Sequence, residues 1–330
     1  MKVGLTSDLR NAGRPTFGEK PLRLLDDRGI SWEWLPPLDA IGPEQTAAYD
    51  ALYINTPPVT AASFGPTTRT RVIARHGVGY DSVDVPACTQ AGVLVTIQPD
   101  GVRRPVAVAT LTLILALSQR LFTKDRLTRT GRWAERLDHM GMGLIGRTLG
   151  VIGAGSIGRE LLALAAPFGL QLLAADPYAD FARLDALGVR LVDLDTLLAA
   201  SDFVVVLTPL TPETRGLIGA AQLARMRKTA YLVNIARGPV VEEPALIAAL
   251  RTGTIAGAGL DVFEQEPVSA ANPLLLMDQV IVTPHALCWT DECFEGLAMS
   301  GLRSIVAVLD GEVPANAVNP EAAHSGVIGR

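Results

Sequence analysis

The sequence predicts an α/β protein with two domains, each built on a doubly wound parallel sheet. Short apolar runs alternate with amphipathic segments along most of the chain, which is typical of parallel strands covered by helices on both faces. At 330 residues the chain is too long for one compact core. A glycine-rich turn and several reactive side chains directly follow apolar runs. We therefore expect ligands at the carboxyl ends of the strands.

Composition excludes several classes of protein. Apolar residues make up 48% and charged residues 19%, as in a globular chain. A net charge of −5 argues against a nucleic-acid partner or an acidic membrane surface. The longest apolar run, Val106–Leu117, is shorter than the roughly 20 residues that span a bilayer, and the N-terminus is too polar for a signal peptide. We expect a cytoplasmic protein without a membrane segment.

The three cysteines, Cys88, Cys288 and Cys293, have no metal-ligand spacing and form no CxxC pair. Free thiols and no bound metal are therefore expected.

The first part of the chain contains five predicted strands. They are Lys2–Ser7, Trp32–Leu35, Ala51–Asn55, Arg71–Arg75 and Val93–Ile97. Helices are predicted at Pro21–Gly29 and near Pro43–Tyr49. Gly77 and Gly79 follow the fourth strand and leave backbone N–H groups accessible. This turn is either an anion-binding loop or a tight connection between a strand and a helix.

A long helix and a polar arm follow. Val106–Leu121 is apolar on nearly all sides, which predicts a helix sandwiched between domains. Thr123–Gly143 is polar and irregular, with scattered arginines and acids. It is either a solvated arm or an arm that contacts a second subunit.

The stretch Leu149–Asp176 has the order of a dinucleotide-binding unit. A predicted strand, Leu149–Ile152, leads through a glycine cluster into a helix, Arg159–Phe168. A second strand, Leu170–Ala175, ends at Asp176. The whole unit occupies about 30 residues, as the Rossmann fingerprint requires. An ordinary βαβ turn is the alternative.

Each glycine of the cluster has a physical role. Gly153 permits the tight turn, Gly155 lets the backbone approach a pyrophosphate, and Gly158 lets the helix pack close to the sheet. The N–H groups at the helix N-terminus favour an anion. A carboxylate at Asp176 accepts hydrogen bonds from a ribose 2′-hydroxyl and repels a 2′-phosphate, so the sequence predicts NAD rather than NADP.

The remaining strands carry further candidate chemistry. They are Leu191–Val192, Asp202–Leu207, Val233–Ile235, Gly257–Val262 and Val280–Thr283, with helices at Asp193–Ala200 and Glu242–Thr252. Arg237, Asp261 with Glu266, and His285 follow the ends of three of them, and these groups should converge on one edge of a parallel sheet.

The final helix, near Asp291–Asp310, is long and amphipathic. We expect it to return to the N-terminal domain. The predicted domains are therefore 1–98 with 291–330 for the substrate, and 99–290 for the cofactor, each Rossmann-like.

Three of these side chains suit hydride transfer to a 2-keto acid. Arg237 offers a permanently charged fork for carboxylate and carbonyl oxygens. His285 is the natural acid/base, and Glu266 can hold its ring and favour the imidazolium. Taken singly, His285 has a structural alternative, and Arg237 or Glu266 could be surface charges.

Several motifs in order favour the catalytic interpretation over those alternatives. NIARG at Asn234–Gly238, GLDVFEQEP at Gly259–Pro267 and TPH at Thr283–His285 follow GAGSIG and TPLTPETRG. Together they resemble the D-isomer-specific 2-hydroxyacid dehydrogenase family. The resemblance implies a homodimeric NAD enzyme with its active site in the cleft between domains, and Arg237, Glu266 and His285 as the catalytic set.

The resemblance also implies binding residues. The amides of Val78 and Gly79 would bind the substrate carboxylate. The cofactor would contact Gly153, Gly155, Ser156, Ile157, Gly158, Asp176, Thr208, Ala236 and Asp261.

The sequence departs from the family near the expected substrate. Many members carry a glutamate where this chain has Val106-Ala107-Val108, and Arg103-Arg104 lie just before. Arg103 or Arg104 would engage a second anionic group of the substrate, or the pair is a surface feature of a helix start. Most members follow the catalytic histidine with a small glycine-rich turn, where this chain has Ala286-Leu287-Cys288-Trp289-Thr290, and the indole of Trp289 would shrink or reshape the substrate pocket.

The resemblance leaves three functions open. A 3-phosphoglycerate dehydrogenase and a glyoxylate or hydroxypyruvate reductase are the leading enzymes. A non-enzymatic NAD-sensing protein, like the family's corepressors, is the alternative. Because the chain ends soon after its last helix, we expect no C-terminal regulatory domain.

Overall fold

A computed structural model describes residues 1–325. They form two compact units. The terminal unit comprises Met1–Pro105 and the described part of Trp289–Arg330, and the central unit comprises Val106–Cys288. Each contains a parallel sheet with Rossmann-like strand order, which confirms the predicted fold class. The domain boundaries given above, and the assignment of the units to substrate and cofactor, stay predictions.

Twelve strands build the two sheets. They are β1 Lys2–Leu5, β2 Ser31–Trp34, β3 Ala51–Ile54, β4 Val72–Arg75, β5 Leu94–Thr96, β6 Thr148–Ile152, β7 Gln171–Ala175, β8 Arg190–Leu191, β9 Phe203–Val206, β10 Tyr231–Asn234, β11 Gly257–Leu260 and β12 Val280–Val282. A separate two-stranded antiparallel ribbon pairs Arg10–Asn11 with Arg14–Pro15.

The helices connect these strands. They are α1 Arg23–Asp26, α2 Pro43–Ala48, α3 Val85–Gln90, α4 Pro99–Ser118, α5 Leu121–Arg129, α6 Ser156–Ala165, α7 Phe181–Asp185, α8 Leu194–Ala200, α9 Ala220–Arg225, α10 Glu243–Thr252 and α11 Asp291–Leu309.

The sheet of the terminal unit has the order β2-β1-β3-β4-β5, and all its strands are parallel. Helix α11 packs against this sheet, because Leu302 and Ile305 share a buried cluster with Val3, Leu5 and other residues of the unit. The last helix therefore returns to the N-terminal sheet, as the sequence predicts.

The sheet of the central unit has the order β8-β7-β6-β9-β10-β11-β12, also all parallel. Strands β6 and β9 are buried at every position, which explains their nearly continuous apolar sequences. The strand order reverses between β6 and β9. Such a switch point is where open α/β sheets bind ligands, at the carboxyl edge.

Helix α4 begins earlier than predicted. The sequence predicts this helix over Val106–Leu121, whereas the helix starts at Pro99 and contains Pro105. Proline is favourable in the first turn, and the carbonyl that faces Pro105 belongs to Gly101. A Cβ on Gly101 would lie 2.5 Å from the backbone nitrogen of Leu297 in α11. The first turn of α4 therefore contacts a helix that is distant in sequence, and a local sequence pattern does not reveal such a contact.

Helix α4 also has the length and hydropathy of a membrane span, the only described helix that does. Of its most apolar window, 61% is buried inside the protein. A helix buried in a protein core can have the same length and hydropathy, so these two properties do not by themselves indicate a membrane span.

The segment Thr123–Gly143 is more regular than predicted. It contains most of α5 and a 3-10 helix at Trp133–His139. Ion pairs one turn apart stabilise these helices, with Arg129 Nε 2.7 Å from Asp125 Oδ2. The expectation of an irregular arm was wrong, because oppositely charged residues three and four positions apart favour helical turns in this polar segment.

Candidate active site

The glycine turn after β6 packs tightly against the strand beside it. Gly153 has φ +95°, and a Cβ there would lie 2.8 Å from the backbone nitrogen of Thr208. Its N–H donates to the carbonyl of Ala175 at 3.0 Å. Only glycine can occupy this position, because any side chain would displace the residues that follow β9.

The start of α6 has room for a ligand. Gly155 is the N-cap and offers no side-chain acceptor to the first-turn amides of Ser156 and Ile157. A Cβ on Gly155 would meet no atom within 4 Å, whereas Gly158 packs directly on the carbonyl of Gly153. The turn is therefore closed toward the sheet and open beyond the helix start, which fits a pyrophosphate.

Asp176 is held beside this turn. Its Oδ2 accepts from the Ala154 N–H at 2.8 Å, and its Oδ1 accepts from the Tyr178 N–H at 2.8 Å. The carboxylate is thus fixed at the end of β7, where it can accept further hydrogen bonds from a ribose. Glycine turn, helix start and fixed acid together fit NAD.

His285 and Glu266 form the central pair of the carboxyl edge. His285 Nδ1 lies 2.8 Å from Glu266 Oε2, and Glu266 Oε1 accepts from the Phe263 N–H at 3.0 Å. Partial burial would raise the pKa of Glu266, but the bonds from His285 and Phe263 and the charges of His285 and Arg237 hold it below its usual value. The carboxylate stays ionised, so Nδ1 carries the proton in this pair and Nε2 is left for a substrate.

The turn that carries His285 is held by a buried carboxylate. His285 itself has φ +54°, an uncommon conformation for a residue with a side chain. Asp261 Oδ1 accepts from Thr283 Oγ1 at 2.6 Å and from the N–H groups of Ala286 and Leu287 at 3.0 and 3.2 Å. We conclude that Asp261 fixes the chain on both sides of His285. Its predicted contact with the cofactor stays a prediction.

Asn234 does the same for Arg237. At the end of β10 its Nδ2 donates to the Arg237 carbonyl at 3.0 Å, and its Oδ1 accepts from the Ala236 N–H at 3.1 Å. Asn234 is the first residue of the NIARG motif, and the motif alone predicts no role for it. A buried asparagine directly before a tight turn was the available signal.

Gly238 brings two of these segments together. A Cβ on Gly238 would overlap the carbonyl of Phe263, so the turn after Arg237 rests on the backbone that leads to Glu266. Because the two segments are in contact, the positive charge of Arg237 is close enough to lower the pKa of Glu266. The predicted catalytic set is therefore assembled within the central unit, and its catalytic roles stay predictions.

The predicted substrate residues lie in the terminal unit. Within residues 1–325, the half-buried amides of Val78 and Gly79 donate to no protein acceptor. Arg103 Nη1 lies 3.4 Å from Asp100 Oδ1 on the same helix, and Trp289 is exposed. Two free amides on one turn can bind a carboxylate.

Metal ligands are not grouped in the described part of the chain. Among residues 1–325, no three His, Cys, Asp or Glu side chains are placed to hold an ion together.

Comparisons with known proteins agree with this geometry. Residues 111–286 match the model of the D-isomer specific 2-hydroxyacid dehydrogenase NAD-binding domain. A glyoxylate reductase from Korarchaeum cryptofilum is 40% identical over 292 residues, which cover 87% of each chain. A D-3-phosphoglycerate dehydrogenase from Archaeoglobus fulgidus is 41% identical over 76% of this chain, which spans only 47% of that longer relative.

A solved structure shares the fold over nearly the whole chain. The D-lactate dehydrogenase from Aquifex aeolicus, in complex with NAD and lactic acid, superposes with a TM-score of 0.83 and is 26% identical. The match covers 96% of this chain and 98% of that one.

Proposed function

The chain belongs to the D-isomer specific 2-hydroxyacid dehydrogenase family, and we propose that it moves hydride between NAD and C2 of a 2-keto acid with His285 as the acid/base. Family membership makes the protein an NAD-dependent oxidoreductase. When bound, the reduced nicotinamide supplies the hydride. The protein supplies the proton, the charge and the geometry.

The observation that carries the proposal is the His285–Glu266 pair on a turn that Asp261 holds. With Nδ1 donating to an ionised Glu266, a protonated His285 has its Nε2 proton available for the alkoxide that forms at C2. Glu266 accepts the hydrogen bond from Nδ1 and so fixes the orientation of the ring. Arg237 polarises the keto oxygen and offsets the charge that develops there.

The carboxylate of the substrate is assigned to the amides of Val78 and Gly79. Their N–H groups have no protein acceptor in residues 1–325, so a bound carboxylate replaces water rather than an internal bond. Arg103 is the candidate for a second anionic group. The Arg103 side chain is half exposed on the first turns of α4. A cation near a helix N-terminus is unfavourable because of the helix dipole, and the carboxylate of Asp100 offsets part of this cost.

The test is a substrate panel with NADH and NADPH side by side. Glyoxylate and hydroxypyruvate represent one activity among the relatives, and phosphohydroxypyruvate represents the other. We expect oxidation of NADH by at least one 2-keto acid and a clear preference over NADPH, since Asp176 repels a 2′-phosphate. A protein that binds NADH but oxidises it with no 2-keto acid, whether small, phosphorylated or bulky, would be a sensor instead. Loss of phosphohydroxypyruvate selectivity in Arg103→Ala would support the second-anion role.

We also propose a homodimer, formed through the surface of α5 and the segment after it. Large apolar side chains are more than half exposed there, at Leu121, Phe122, Leu137 and Met140. Such a cluster marks an interaction surface in a protein that is otherwise well packed. Light scattering after gel filtration should give twice the chain mass, and Leu137→Glu with Met140→Glu should give a monomer. A wild-type monomer at micromolar concentration would refute the assignment. A cytoplasmic location stays a prediction.

A further inference from the structure

Three aromatic rings in the terminal unit stand in contact, and we call them the aromatic stack: Trp289, Phe294 and His76. The Trp289 and Phe294 rings are 5.3 Å apart and edge-on at 77°. The Phe294 and His76 rings are 5.0 Å apart and tilted at 57°. Trp289, at 59% exposure, is the outer end, and His76, at 4%, is the inner end.

Both ends of the stack are held by hydrogen bonds. Thr290 Oγ1 accepts from the Cys293 N–H at 3.1 Å, and this cap of α11 fixes Trp289 just before the helix and Phe294 in its first turn. The His76 N–H donates to the Ile54 carbonyl at 2.7 Å, and its ring bonds Tyr53 Oη. The backbone is therefore held at both ends of the stack, and the three rings contact one another in a row that we call the wall.

The wall carries no charge. Burial, with a smaller effect from Arg75, lowers the pKa of His76 to about 3, so its ring is neutral at any working pH. Neither other ring can ionise. A neutral aromatic surface favours an apolar or aromatic group and gives no attraction to a second carboxylate.

The inner end of the wall adjoins the proposed carboxylate site. His76 directly precedes Gly77, whose carbonyl accepts from the Gln98 N–H at 2.8 Å, and the free amides of Val78 and Gly79 come next. The stack therefore begins one residue before the turn that carries the proposed carboxylate site.

From this arrangement we propose that the aromatic stack binds the side chain of the substrate, and that the preferred substrate is a 2-keto acid with an aromatic or bulky apolar substituent. The inference rests on the proposed 2-keto acid reductase activity and names its substrate class. It assigns Trp289 and Phe294 to recognition of the substituent, and the amides of Val78 and Gly79 to the carboxylate common to all candidates.

The experiment compares phenylpyruvate, 4-methyl-2-oxopentanoate, glyoxylate and oxaloacetate with the full chain and NADH. The wild type should reduce phenylpyruvate with a kcat/KM at least about tenfold above glyoxylate, the range that one apolar contact region provides. Trp289→Ala should lower that ratio roughly tenfold, mainly through KM, and Trp289→Phe should restore most of it. Phe181→Ala, which removes an aromatic ring of 64% exposure in the central unit, is the matched control and should leave the ratio unchanged.

A second measurement separates this inference from the activity itself. Calorimetry of phenylpyruvate binding to the protein saturated with oxidised NAD involves no turnover, and Trp289→Ala should weaken that binding about tenfold. A wild type that prefers glyoxylate, oxaloacetate or, through Arg103, phosphohydroxypyruvate overturns the inference and leaves the activity standing. Unchanged phenylpyruvate affinity in Trp289→Ala also overturns it. Absence of turnover with every acid, beside Trp289-dependent binding, refutes the enzymatic proposal and supports the stack as a binding surface.

Discussion

Two buried aspartates lie at opposite edges of the same seven-stranded sheet, and each is 2% exposed. Asp202 precedes β9 at the amino edge. It accepts from the Thr148 N–H at 2.9 Å and lies 3.3 and 3.4 Å from Arg227 and Arg147. Asp261 follows β11 at the carboxyl edge and accepts from the hydroxyl and amides of the turn around His285.

The difference lies in what each carboxylate holds in place. Asp202 joins the starts of neighbouring strands and has two cations to balance its charge, so its role is to stabilise the sheet. Asp261 bonds to the neutral groups of a single turn whose histidine has a left-handed backbone. Equal burial of one residue type therefore has different consequences, because only the carboxyl edge of a parallel sheet presents loops to a ligand.

The largest expected effect is at the carboxyl edge itself. His285→Ala should lower kcat by about 10²- to 10⁴-fold, the usual contribution of a general acid/base. Affinity for NADH, measured by fluorescence titration, should change little because the glycine turn is intact. Turnover equal to that of the wild type would remove His285 from its role.

The two aspartates provide the direct comparison. Asp261→Asn replaces an acceptor oxygen by a donor against amides, which should shift the His285 turn and lower kcat by roughly 10²-fold, as small misplacements of a catalytic group do. Asp202→Asn should lower the free energy of unfolding by about 1.5 to 3 kcal/mol through weaker charged hydrogen bonds.

In Asp202→Asn, kcat per folded molecule should stay near that of the wild type. Unfolding in urea measures the stability of both variants, and steady-state kinetics measures their kcat. Equal losses of kcat in the two variants would contradict the distinction between the edges.

A third prediction concerns the open space at the start of α6. Gly155→Ser keeps a residue suited to an N-cap and meets no protein atom within 4 Å at its Cβ, so the melting temperature should not fall. The added atoms occupy the region assigned to the pyrophosphate, and NADH should bind roughly tenfold more weakly through lost hydrogen bonds. Gly143→Ser is the control, since Gly143 also has open space around it but lies outside the carboxyl edge. Unaltered NADH affinity in Gly155→Ser would place the cofactor elsewhere.

The smallest expected effect is that of Glu266→Gln. The amide accepts the Nδ1 hydrogen bond of His285 more weakly than the carboxylate, so the ring should be held less firmly and kcat should fall roughly tenfold near neutrality. Steady-state kinetics measures this change. An unchanged kcat would separate Glu266 from the acid/base step.

Stability gives an independent check on the same residue. The pKa of Glu266 is lower in the folded protein than its usual value of about 4.3, so its contribution is complete above that pH and declines as the pH falls through the lowered value. The stability difference between wild type and Glu266→Gln should therefore shrink as the pH falls below about 4. A difference that grew in acid would contradict the assigned sign.

The sequence predicted the sheets and the cofactor unit because their information is local. A strand buried on both faces must be apolar throughout, and the backbone of a turn like that at Gly153 excludes a side chain. Such requirements fall on single positions or on a short period. The family motifs likewise identified Arg237, Glu266 and His285, and the structure brings their segments together at one edge.

Tertiary contacts decided the rest. Helix α4 starts at Pro99, and its first turn packs through Gly101 on the backbone of α11. The two segments lie nearly two hundred positions apart along the chain. The roles of Asn234 and Asp261 depend on which amides surround them. The aromatic stack joins a residue after β4 to two residues at the start of α11, and no local pattern relates them. Sequence alone determined which residue types were available at each strand end, whereas the partner of each side chain was determined only when distant segments packed together.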